Sequence, residues 1–190
     1  MKLSLTLCIS TFLILSCSSN KKTQEIIRLD LAHNLINEIL SDTTDEYLGD
    51  KKYCLSEMTL LHPDCFLSES EIIEFYEDLF NEDDTVNIHQ QLDFKREFLI
   101  DSLKVKKMKI LTKDFIINEN FTDTFWKYVY EDCSGGYITF SKPIFSNDNS
   151  LVYIKLGYMC GRLCGAGESR LYRRENEKWV LVKSFSKWIS

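Results

Sequence analysis

The residues of this 190-residue chain best equipped for chemistry are its seven cysteines and three histidines. Two cysteines bracket a glycine-rich stretch, Cys160-Gly-Arg-Leu-Cys164-Gly-Ala-Gly167. Thiol–disulfide exchange favours Cys-x-x-Cys at the start of a helix, where the thiol pKa is lowered. Here three residues intervene, inside what reads as a sheet loop. Zinc asks for four ligands, and no histidine follows the pair at useful spacing. Cys133-Ser134-Gly135-Gly136 places a nucleophile beside backbone donors, yet no histidine stands locally to activate it. The glycines lack the strand–loop–helix setting of a phosphate cradle. His33 lies beside an apolar stripe and reads as a packed or surface residue, and His89 has no partner in sequence. These residues assign no catalytic, cofactor-binding or metal site.

The N-terminus gives an address. Lys2 precedes a 14-residue apolar run, Leu3 to Ser16, which ends at Cys17. A helical span of hydrocarbon needs about 20 residues, so the run is too short to cross and matches the core of a secretory signal. Ile14-Leu15-Ser16-Cys17 resembles the lipobox of bacterial lipoproteins. The resemblance implies cleavage before Cys17, a thioether lipid on its sulfur and acylation of the new amine. Several acyl chains make such attachment effectively permanent. Ser18 after the cysteine, by analogy with that family, directs the chain to the outer membrane, facing the periplasm. The division expected is a signal peptide over 1–16, a lipidated polar tether over 17–24 and one domain over 25–190.

In an oxidising envelope, Cys54, Cys65, Cys133, Cys160 and Cys164 form at most two disulfides. Cys54–Cys65 and Cys160–Cys164 each close a short local loop and are the first expectation; Cys133 reaching into the glycine loop is the competitor.

The positioning elements follow from periodicity. Leu29, Ala32, Leu35, Ile36, Ile39 and Leu40 recur at helical spacing over Thr23–Leu40. A strand is expected over Tyr53–Met58 and a turn at His62-Pro63-Asp64. Ser68 and Glu71 form a capping box before Ile72, Phe75, Tyr76, Leu79 and Phe80. Asn81–Glu97 reads as a long loop holding a short helix. Lys104, Lys106, Lys107 and Lys109, with Val105, Met108 and Ile110 between, read as a strand whose lysines guard an edge. Phe121, Phe125 and Val129 predict a helix starting near Thr122, although Trp126, Tyr128 and Tyr130 also alternate as a strand would. Four antiparallel strands follow: Tyr137–Ser141, Leu151–Tyr158, Ser169–Arg174 and Trp179–Phe185.

Helices first and a four-stranded meander last predict an α+β domain, with the helices on one face of a curved antiparallel sheet. This order is similar to the NTF2-like (cystatin-like) cone, and the tail is similar to small envelope lipoproteins. Neither resemblance implies an activity. The net charge of −6 argues against nucleic acid as a partner. The expectation is a membrane-anchored, non-catalytic domain that takes a small molecule or a protein partner on the aromatic-rich side of the sheet. The rivals are an envelope enzyme with Asp or Glu, alone or with His89, as acid–base groups in a cone-like pocket, and a thiol-redox protein using Cys160 and Cys164.

Overall fold

The computed structural model describes residues 3–42, 52–59, 79–80, 84–92, 98–105, 108–119 and 121–190, with side chains of the first helix from Lys22 onward. Helix α1 (Leu3–Ser41) is continuous through the segment expected to be a tether. A helical backbone rises only ~1.5 Å per residue, so that segment is shorter than an extended chain would be. Leu31, Ala32, Leu35, Ile36 and Ile39 form its buried stripe, while Leu29 is exposed. His33 is a structural residue. Its buried imidazole donates from Nδ1 to the Leu29 carbonyl at 2.7 Å and accepts at Nε2 from the Asp101 amide at 2.9 Å. Both ring nitrogens are satisfied by backbone, which ties α1 to the turn at Asp101–Val105.

Among the described residues, seven strands build one sheet: β1 (Tyr53–Ser56), β2 (Lys109–Leu111), β3 (Gly136–Phe140), β4 (Ile144–Phe145), β5 (Leu151–Gly161), β6 (Cys164–Glu175) and β7 (Lys178–Ile189). Their order is β2-β1-β3-β5-β6-β7, with β4 paired to β5. β1 runs parallel to both β2 and β3, and the remaining pairs are antiparallel. The fold is therefore α+β, with β3, β5, β6 and β7 forming the four-stranded meander. Asn176 and Glu177, at φ 50° and 66°, make the two-residue turn between β6 and β7. Two positive φ values match the right-handed twist of the strands they join.

Helices cover both faces of the sheet, not one. Helices α2 (Thr85–Gln91), α3 (Lys113–Glu119) and α4 (Asp123–Asp132) lie opposite α1. Alternation along the central strands fixes this. Tyr53, Leu55, Ile138 and Phe140 join the α1 core, whereas Cys54 and Tyr137 join Phe125, Trp126 and Val129 of α4. β1 and β3 are buried at every position. Strands without a polar face need cover on both sides, as parallel strands usually do.

The lysine-rich strand is shorter than expected. Asp101 bends the chain at Lys104: its carbonyl accepts from the amides of Lys104 and Val105, and its Oδ1 accepts from the Leu103 amide at 2.9 Å. A side-chain cap of this kind competes directly with a ladder; among the described residues pairing begins at Lys109, and Lys106 and Lys107 lie outside them. Lys104 pairs with Asp30 at 2.6 Å, and Lys109 pairs with Asp132 beneath the Tyr128 ring. The short helix expected in the 81–97 loop is α2. The capping-box segment, the His62 turn and Cys65 lie outside the described residues.

Candidate functional site

Helix α4 starts where its residues require. Thr122 is the N-cap, extended at ψ 175°, and its hydroxyl accepts from the Phe125 amide at 3.4 Å. Phe125, Trp126 and Val129 point into the core. Asp123, Lys127 and Glu131, one helical turn apart in succession, form the opposite edge with Tyr130 beside them. The β5–β6 hairpin leans against that edge. Its tip is Arg162-Leu163, and the Cys160–Cys164 disulfide closes it with Cα atoms 5.1 Å apart.

Two hydrogen bonds join the tip to the helix. Tyr130 donates its hydroxyl to the Cys160 carbonyl at 3.0 Å, and Arg162 Nη1 donates to Asp123 Oδ1 at 2.8 Å. Gly161 permits this approach, since a Cβ there would lie 2.9 Å from the Tyr130 hydroxyl. Between helix and tip runs a groove of about 770 Å³, lined by Asp123, Trp126, Lys127, Tyr130, Glu131, Arg162 and Leu163. Leu163 is 92% exposed on the tip, and Tyr130 is half exposed.

Trp126 stands out chemically. It is 7% exposed and packs its ring against Tyr130 and Tyr137. Its Nε1–H is buried and meets no acceptor among the described residues. Leaving such a donor unmatched costs on the order of 1–3 kcal/mol.

Beyond the groove, the glycines of the cysteine–glycine stretch make room for an aromatic ring. A Cβ at Gly167 would sit 2.6 Å from Trp188 Nε1 and 2.4 Å from the Leu156 carbonyl, and Gly165 likewise faces Trp188. Trp188, on the edge strand β7, thus lies over the bare backbone of β6 and shields it as a side chain on β6 would.

The cysteine pairing corrects one expectation and meets another. Cys160 bonds Cys164, but Cys54 bonds Cys133, with Cα atoms 5.5 Å apart and both residues fully buried. Neither the local Cys54–Cys65 loop nor a link from Cys133 into the glycine loop forms. Cys133 caps α4 through its amide to the Val129 carbonyl, and Gly136 then turns the chain at φ 94°. That turn starts β3 directly beside β1, which brings the two sulfurs together. With its sulfur bonded, Cys133 is no nucleophile.

Among the described residues no histidine joins the carboxylates of the groove. His89 is exposed on α2, which packs on β4, and β4 pairs with Val152 and Tyr153 at the far end of β5. Among the described residues no three of His, Cys, Asp and Glu converge to hold a metal ion. The strongest buried charges are instead spent on strand pairing. On β6, Glu168 accepts from Arg170 and from the Ser184 hydroxyl, and Arg170 Nη1 donates to the Tyr172 hydroxyl at 3.2 Å.

The aromatic cluster under the groove carries a measurable pH signature. Burial pushes the Tyr137 phenol up to about 12. The folded state therefore holds its proton more tightly than the unfolded chain, whose tyrosines titrate near 10. Stability is intact below about pH 10 and falls as pH rises towards 12, by about 2–3 kcal/mol for this group. Urea unfolding at pH 9 and 11.5 should show a smaller loss for Tyr137→Phe than for the native chain; equal losses would remove Tyr137 as the cause.

Sequence reading singled out the cysteines and the aromatics of α4. It did not find Asp123, Lys127, Glu131, Arg162 and Leu163 as a set. The available signals were their one-turn spacing on α4 and the Arg-Leu dipeptide between two cysteines. Comparison with known proteins finds no matching family model, no matching curated sequence and no matching solved structure.

Proposed function

We propose that this chain is a non-catalytic binding domain, held at the outer membrane by lipid on Cys17 and facing the periplasm, and that the groove between α4 and the β5–β6 tip receives a short extended segment of a protein partner. The observation that carries this reading is an open groove with a largely apolar lining, beside which Trp126 keeps a buried, unmatched N–H. A peptide carbonyl is the acceptor such a donor calls for. The lining charges, Asp123 and Glu131 against Lys127 and Arg162, balance, which favours a neutral occupant over a polyanion. From Asp123 to Glu131 the helix rises ~12 Å, the length of roughly three or four extended residues.

Anchoring through lipid is consistent with the helices described, since none is long and apolar enough to cross a membrane. The end of the sheet that α1 grips supports the geometry. Arg28 donates to Asn149 at 2.9 Å and Glu38 accepts from the Trp179 amide at 2.8 Å, both at the opposite end of β5 and β6 from the groove. Eleven strand residues separate the two ends, or ~35 Å, so an anchored domain presents the groove away from α1. The rival enzyme reading draws no support from His89, which stands a strand length from the groove.

A random heptapeptide phage library panned on the native domain tests the proposal. Enriched peptides should share an apolar residue and bind Leu163→Asp at least ~10-fold more weakly, the effect of losing an apolar anchor. Peptides that bind the variant equally, or no enrichment at all, would overturn it. Cys17→Ser should release the protein from the membrane fraction, and retention would refute the lipid anchor.

A further inference from the structure

We propose that the Cys160–Cys164 disulfide is a reducible latch that sets the shape of the groove, so that occupancy there follows the thiol–disulfide state of its surroundings. This rests on the binding reading of the groove given above.

The two disulfides differ in everything that governs reduction. Cys54 and Cys133 are fully buried, whereas Cys160 and Cys164 are both exposed at the hairpin tip. A reductant must reach a sulfur along the S–S axis, so access separates the two. The first links residues 79 positions apart; the second links residues only 4 apart.

What the second disulfide holds is specific. The β5–β6 ladder runs regularly to the Met159–Gly165 pair, then shifts register, leaving Cys160 outside the ladder before the Gly161–Cys164 pair. The disulfide fixes this displaced residue, whose carbonyl accepts the Tyr130 hydroxyl. The five-residue ring it closes contains Arg162 and Leu163, two groove-lining residues. Arg162 reaches Asp123 from within that ring, where both side chains are largely exposed. An exposed ion pair contributes little by itself. The disulfide does not itself bridge to α4; it holds the shape of the ring from which that pair and the Tyr130–Cys160 hydrogen bond reach the helix, and opening it leaves that shape unconstrained.

The chemistry needs a dithiol reductant. One of its thiolates attacks Sγ of Cys160 or Cys164, and the S–S bond breaks as a mixed disulfide forms. Its second thiolate then displaces the remaining cysteine sulfur. Cys160 and Cys164 leave as thiols, having gained two electrons and two protons, and the reductant leaves as its own disulfide.

The test treats the folded protein with graded dithiothreitol without denaturant, traps thiols with iodoacetamide and maps them by mass spectrometry. In parallel the indole N–H signals of the three tryptophans are followed by NMR, with Trp126 assigned through Trp126→Phe. Cys160 and Cys164 should be alkylated at reductant concentrations at least ~10-fold below those needed for Cys54 and Cys133. The Trp126 signal should move with them while that of Trp179, in the α1 core, stays. Cys160→Ser with Cys164→Ser should reproduce the shift without reductant. Should that variant lose the Trp179 signal, reduction of the native chain still decides. Simultaneous opening of both disulfides would overturn the proposal. So would a Trp126 signal that ignores reduction while peptides still bind, an outcome that leaves the binding reading standing. A Trp126 signal that moves on reduction in a protein that binds no peptide would sink the binding reading alone.

Discussion

Replacing Cys54 and Cys133 together by alanine is expected to lower the folding free energy by about 4–5 kcal/mol, from the loop entropy of a 79-residue span. The same change at Cys160 and Cys164 closes so short a ring that the corresponding figure is about 2 kcal/mol. A domain of this size is stable by roughly 5–15 kcal/mol, so the first variant would forfeit a large share of the total. Both sulfurs of that pair are also packed among Leu111, Phe125 and Tyr137, and the truncation leaves space there. Urea denaturation of the two double variants gives the comparison directly. Equal midpoints would show that the buried link does not dominate.

Gly136→Ala is the second large expected effect. The residue sits at φ 94°, where side chains are strained, and a Cβ would lie 2.0 Å from the Met159 carbonyl. The obstacle is backbone, so relief requires β5 to move away from β3 along the seam between them. A loss of about 3–5 kcal/mol is expected, or a melting temperature lower by roughly 10–15 °C. Gly161→Ala crowds the end of a tyrosine side chain, 2.9 Å away, which can swing aside, and otherwise makes an ordinary contact with Cys164 Cβ at 3.5 Å. It should melt within a few degrees of the native chain. A thermal scan that ranks the two the other way would contradict the geometry.

What was legible in the sequence was local. The stripe of α1, the cap at Thr122 and the hairpins of the meander each follow from neighbours within a turn or a strand. The Cys160–Cys164 link, four positions apart, belongs with them. The partner of Cys54 did not, because parallel pairing of β1 with β3 joins residues some eighty positions apart, and short-loop closure favours the nearer cysteine. The lysine stretch misled for a related reason. Its alternation is real, but Asp101 and His33 fix a turn there through contacts that span 68 positions in sequence. Cover on both faces was not read from the sequence: Tyr137, Ile138 and Phe140 put apolar residues on both sides of β3, but Thr139 interrupts the run. That pattern alone does not name which helices supply the cover. The groove needs α4 and a hairpin tip some thirty residues later to meet, a juxtaposition no periodicity encodes.

The strand order divides the sheet into two halves that assemble on different clocks. β5, β6 and β7 are joined by two-residue turns, and such hairpins close within about 1–10 μs. β1 instead enters between β2 and β3, whose positions in the chain lie well downstream of it. Closing those long loops consumes entropy before any contact repays it, which makes pairings of this kind the slow part of a fold. The hairpins of the meander are therefore expected to be in place while the β1 slot is still empty. In that interval the apolar faces of β3 stand uncovered, which makes this central slot, more than the lysine-bearing outer strand, the place where chains would stick to one another.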